Sequence, residues 1–89
     1  MTKTVWKFEF AAQDDTLIEM PEGAVVLTVA VQFGLPCLWA LVDPEAPKVR
    51  RRFRLAGTGH PLGPEVGAYV GSFQLSRGHL VFHLFEREE

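Results

Sequence analysis

A chain of 89 residues that is 47% hydrophobic and 22% charged has the size and composition of one folded domain over residues 1–89. Its net charge of −2 excludes a general electrostatic attraction to nucleic acid or anionic membrane. The single cysteine, Cys37, excludes an intrachain disulfide and suits a reducing cytosol, and no apolar run approaches the ~20 residues of a membrane helix.

Thr4 to Phe10 reads as the first strand. Trp6, Phe8 and Phe10 share one face and Val5, Lys7 and Glu9 the other, the period-two spacing of a strand with aromatic anchors turned inward. No apolar h-region follows Met1, so no secretory signal is expected. Asp14 and Asp15 end a polar turn. Thr16 to Met20 is a short second strand with Ile18 and Met20 inward, and Pro21-Glu22-Gly23 is the turn that leads out of it.

Ala24 to Asp43 is the stretch around which the rest must pack. It holds two long apolar runs joined at Gly34. In the first, Val25, Leu27, Val29, Val31 and Phe33 alternate with Val26, Thr28, Ala30 and Gln32. Both sets are largely apolar and β-branched, which fits a pleated, covered strand and argues against an exposed edge. Gly34 supplies the positive φ of a tight hairpin turn. Pro36 lacks a ladder donor, so full pairing of the return strand is expected from Cys37 onward. Asp43-Pro44 and Pro47 then mark a loop.

Lys48 to Leu55 is strand five, with Val49, Arg51, Phe53 and Leu55 on one face and Arg50, Arg52 and Arg54 on the other. Arg51 interrupts the apolar face. The segment Gly57 to Pro64 is the most loop-like in the chain. Gly67 to Leu75 is strand six, with Tyr69, Gly71, Phe73 and Leu75 on one side, and Gly71 marks a bulge or a close backbone approach. Ser76-Arg77-Gly78 is the last turn. His79 to Phe85 is strand seven, and Glu86 to Glu89 reads as a frayed, charged tail. Seven strands punctuated by Gly and Pro, with no helical periodicity, give an all-β fold: a small antiparallel sandwich or partly open barrel. So short a chain buries only about 60–65% of its unfolded surface, which makes a homodimer an option.

Two stretches are candidate binding sites. Arg50, Arg52 and Arg54, with Lys48, form a local basic row able to meet phosphates or an acidic protein. The plainer reading, and the one the negative net charge favours, is a solvated face whose charges pair with Glu9, Glu19 or other acidic neighbours. The loop Gly57-Thr58-Gly59-His60-Pro61 could bring backbone, Thr58 and His60 against an anion. It lacks the Lys-Ser/Thr ending and following helix of a phosphate-binding P-loop, so a tight connection is the simpler account.

No catalytic or metal site is expected, and no cofactor. His79 and His83 lie about 13 Å apart along a strand, too far to share one zinc ion unaided. Cys37 reads as an inert buried thiol, and a pairing of Cys37 or Ser72 with His60 has no positive support. Trp39 and Phe85 are core if both sheet faces are covered and interface if they are not.

The words Val5-Trp6-Lys7-Phe8, Met20-Pro21-Glu22-Gly23-Ala24, Cys37-Leu38-Trp39-Ala40-Leu41-Val42-Asp43-Pro44, Gly57-Thr58-Gly59-His60 and Leu80-Val81-Phe82-His83 span nearly the whole chain. Together they resemble a family of small all-β proteins of unknown function encoded by phages and prophages. The resemblance implies an accessory phage protein made in the cytosol of a host bacterium, and no activity. Phe33 before Gly34 departs from it, since a turn-former such as Asn is usual there, which argues against a simple two-residue type I′ turn. The function expected is therefore a non-enzymatic interaction module, with a protein partner and a possible counter-defence role. The alternative is a nucleotide or nucleic-acid binder using Arg50, Arg52, Arg54, Thr58 and His60.

Overall fold

Alternating side chains give each strand one apolar face, and such faces are stable only when they bury one another. The computed structural model describes residues 2–64 and 66–87. Within them the strands are β1 (Thr4–Glu9), β2 (Asp15–Pro21), β3 (Val25–Gln32), β4 (Leu35–Val42), β5 (Lys48–Gly57), β6 (Ala68–Leu75) and β7 (Leu80–Glu86). They form two antiparallel sheets, β1-β4-β3 and β2-β5-β7-β6, stacked as a sandwich and not closed into a barrel.

The core lies between the sheets. Met20, Leu38, Ala40, Val42, Phe53 and Leu84 are fully enclosed there, with Phe10, Ile18, Val29, Leu55 and Phe73 nearly so. Each enclosed Phe, Leu or Met contributes roughly 1.5–3 kcal/mol by leaving water. Phe10, just past the end of β1, and Phe73 of β6 meet edge-to-face at 6.1 Å. β4, the return strand of the long hairpin, is central in its sheet, and it pairs with β3 from Leu35, two residues earlier than the proline implied.

Arg51 faces inward and does not disrupt the core. Its Nε and Nη2 donate to the two carboxylate oxygens of Glu86 at 2.6 and 2.8 Å, and its Nη1 donates to the Ala24 carbonyl at 2.6 Å. The bidentate bond to Glu86, opposed by burial, raises the guanidinium above its ordinary range. The pair ties β5 to β7 and to the turn before β3. Glu86 is thus part of a strand and not of a frayed tail. Arg87 is held too: its N–H donates to the Arg52 carbonyl and its Nη1 to Asp15. Residues 88–89 lie outside the described residues.

Two strands break strict alternation. β3 has an irregularity between Val26 and Thr28, and β6 one between Tyr69 and Gly71. Past its bulge β3 turns Val29 into the core and leaves Val25 and Leu27 half-exposed, so the single face expected for Val25 through Phe33 does not exist. β3 is an edge strand of its sheet by hydrogen bonding, though not an exposed one. Its open flank is covered by β6 from the other sheet. There Gly71 is required by space: a Cβ would lie 3.0 Å from Val29 Cγ1.

The β3–β4 turn also differs from expectation. Gln32 pairs with Leu35 across two residues, and both have positive φ, 52° at Phe33 and 79° at Gly34. That is the backbone of a type I′ turn, adopted despite a bulky residue at its first position. Phe33 is 91% exposed, so packing returns nothing for the left-handed backbone, which costs about 1 kcal/mol. Phe33→Asn is therefore expected to raise the stability by about 0.5–1 kcal/mol in urea unfolding; a loss of stability would show that the ring is held by contacts in the folded state.

Candidate functional site

The candidate binding residues Arg50, Arg52, Arg54, Thr58 and His60 lie on or beside the outer face of the four-stranded sheet. β5 supplies its spine. Phe53 and Leu55 point into the core, so Arg50, Arg52, Arg54 and Ala56 point outward. Thr58 continues the line as the strand ends. At ~3.3 Å per residue, Arg52 and Thr58 stand roughly 20 Å apart, so one small ligand cannot bridge the row and the loop.

Register decides the electrostatics of the row. β2 lies beside β5 and sets Asp15 opposite Arg54, Leu17 opposite Arg52 and Glu19 opposite Arg50. Arg54 stands 3.5 Å from Asp15 and 3.9 Å from Asp14. Arg50 and Arg52 form no ion pair among the described residues, although Glu19 flanks Arg50. Glu9 plays no part here: it belongs to the other sheet, 3.7 Å from Lys7. The row is thus a mixed-charge surface whose middle member, Arg52, is exposed and faces an exposed leucine. Beside that pair is a hollow of about 580 Å³ lined by Gln13, Asp15, Thr16, Leu17 and Arg52 over Phe53.

Towards β6 the same face carries a chain of hydrogen bonds. His83 is bonded through Nε2 to Thr58 Oγ1 at 2.7 Å and through Nδ1 to Ser72 Oγ at 2.8 Å. Ser72 Oγ is in turn 2.7 Å from the Tyr69 hydroxyl. The Tyr69 ring packs edge-on against Phe85 at 5.4 Å. Tyr69 and Ser72 are three residues apart, which in a regular strand puts them on opposite faces. The bulge between Tyr69 and Gly71 restores them to one face.

Thr58 is fixed from both sides, its N–H donating to the Val81 carbonyl. His60 is not part of the chain of bonds. Its ring lies over Gly57, where a Cβ would come 3.0 Å from Nδ1, and its N–H donates to the Gly57 carbonyl. Thr58 and His60 therefore share a hollow with Leu62, His83 and Phe85, but its volume is only about 190 Å³. Ligand pockets start at about 300 Å³.

The Ser72 and His83 pair resembles a nucleophile beside a base, yet the ring's second nitrogen meets Thr58, and no carboxylate bonds it among the described residues. The arrangement satisfies polar groups on an exposed face. The pairings weighed from sequence are not formed: Ser72 bonds His83 and not His60, and Cys37 is buried on the other sheet, donating weakly to the Leu35 carbonyl at 3.4 Å. Among the described residues no group of three or more His, Cys, Asp or Glu side chains is placed to hold a metal ion. None of their helices is long and apolar enough to cross a membrane. Trp39 and Phe85 are both outside the core, half-buried on opposite outer faces.

A family model described as a domain of unknown function, DUF7352, matches residues 1–89. The chain belongs to that family. No curated protein and no solved structure matches it. What the DUF7352 domain presents must therefore be read from its own surface. If the Thr58–His83–Ser72 bonds are exposed scaffolding, Thr58→Val and Ser72→Ala should each cost no more than about 1 kcal/mol. Because both hold one ring, the double variant should depart from additivity by about 0.5 kcal/mol or more in thermal unfolding. Strict additivity would show that the ring does not couple them.

Proposed function

We propose that this DUF7352 domain is a non-enzymatic interaction module that captures a protein partner through the outer face of the four-stranded sheet. The observation that supports it most is Arg52: an exposed guanidinium with no ion pair among the described residues, set beside exposed Leu17 and an open hollow. A protein ligand supplying a carboxylate for Arg52 and an apolar side chain for Leu17 matches that surface. Arginine is the cation best suited to such a contact, because its planar fork donates two parallel bonds to a carboxylate.

A nucleic-acid ligand fits less well. Asp15 and Glu19 flank the row on β2 and would oppose a phosphate backbone laid along it. The loop hollow at Thr58 and His60 is too small for a nucleotide and stands too far from Arg52 to act with it. The biological setting we propose is that of an accessory phage protein in the cytosol of a host bacterium, with counter-defence as one such role. The resemblance of the Trp39–Pro44 and Gly57–His60 words to phage-encoded proteins supports that setting, as does a free, buried Cys37.

Arg52→Glu tests the reading. Capture from phage-infected cell lysate should fall at least tenfold, while the melting temperature moves by no more than about 4 °C, because an exposed substitution shifts stability by under ~0.5 kcal/mol. Capture unchanged by the substitution overturns the proposed face. Salt-dependent binding of labelled oligonucleotides in a fluorescence-anisotropy titration overturns the choice of a protein partner.

A further inference from the structure

The outer face of the three-stranded sheet differs in kind from the surface just described. An antiparallel sheet with one face on the core normally turns a polar face to water. β1, β3 and β4 together contain one lysine, Lys7, and one glutamate, Glu9. Across the sheet, Val5, Leu41 and Val25 stand in one registered row, and Lys7, Trp39 and Thr28 in the next. Leu27, at the β3 bulge, adds to them. Val5, Val25 and Leu27 are each about 50% exposed. The two charges are already answered: Lys7 lies 3.7 Å from Glu9 and donates to Gln32 across β4 at 2.8 Å.

We infer that this face is the contact surface of a homodimer, the occupant being a second copy of the chain. Two properties favour a copy over a foreign protein. The face is neutral within itself, so a two-fold pairing of identical patches carries no net charge repulsion, whereas a charged foreign surface would lose hydration with nothing to meet it. Its size also matches a weak self-association. Strands of six, eight and eight residues give a footprint of at most roughly 14 by 26 Å, on the order of 370 Å². Two copies with their side-chain relief and rim remove about 1,000 Å² from water, below the usual range of stable specific interfaces and in the class of weak, transient ones. The inference is independent of the face proposed for partner capture, which lies on the other side of the sandwich.

The test is the solution mass by light scattering or sedimentation equilibrium, from about 1 to about 200 µM. The wild-type chain should rise from 10.0 kDa towards twice that value with concentration. Val25→Lys with Leu27→Lys should hold it at 10.0 kDa throughout, with an unchanged far-ultraviolet circular dichroism spectrum showing that the variant is folded. Arg52→Glu should dimerise like the wild type. A wild-type chain that stays at 10.0 kDa at the highest concentration overturns the inference. A dimer that survives the double lysine substitution, or is lost with Arg52→Glu, places the interface elsewhere and overturns it too.

Discussion

The meeting of β3 and β6 at Val29 and Gly71 governs how the two sheets are joined. Each of these strands lies at the edge of its own sheet, and a bare edge is an unpaired row of backbone groups. Here the two edges cover one another. That demands a strand with no side chain at the point of contact, and a local bend in both partners. Gly71 provides the first and the bulges at Leu27 and Val70 the second. The Arg51–Glu86 pair makes a separate tie, from β5 to β7 and the turn before β3.

The same bulges decide what the outer surfaces display. One extra residue in β6 sets Tyr69 and Ser72 side by side, and so builds the hydrogen-bonded line to His83 and Thr58. One extra residue in β3 leaves Val25 and Leu27 outward beside Trp39 and Leu41, and so builds the apolar face. Charge follows the sheets. Among the described residues Asp15, Glu19, Arg50, Arg52 and Arg54 share one outer face through β2 and β5, while Lys7 and Glu9 stand on the other and close on each other. The domain thus has one charged and one largely apolar outer face.

Much of this was legible in the residues. Period-two spacing placed Trp6, Ile18, Met20, Phe53 and Leu55 inward, and Gly and Pro located the turns. The outward arginine row followed from the same rule. Alternation carries no information about a bulge, so the rule failed where a residue was added: it set Tyr69 opposite Ser72 and Leu27 on the buried side. Gly71 was the one visible sign, since a glycine inside a strand marks an irregularity or a close approach, and here it marks both. Strand pairing was the other missing quantity. Without register, Asp15 and Glu19 could not be assigned to Arg54 and Arg50, nor Glu86 to Arg51, and Glu86 read as a loose end. The Phe33 turn shows that a two-residue hairpin constraint prevails over the preference of one residue for negative φ.

The dependence on the β3–β6 contact is tested most directly by a double-mutant cycle at Gly71 and Val29, read by urea unfolding. Gly71→Ala alone should destabilise by about 1–3 kcal/mol, because the added methyl overpacks against Val29. On a Val29→Ala background, with the methyls opposite removed, it should cost close to nothing, a coupling of at least about 1 kcal/mol. Equal costs in the two backgrounds would contradict the account, since they would mean that the edges of the sheets do not rest on each other there.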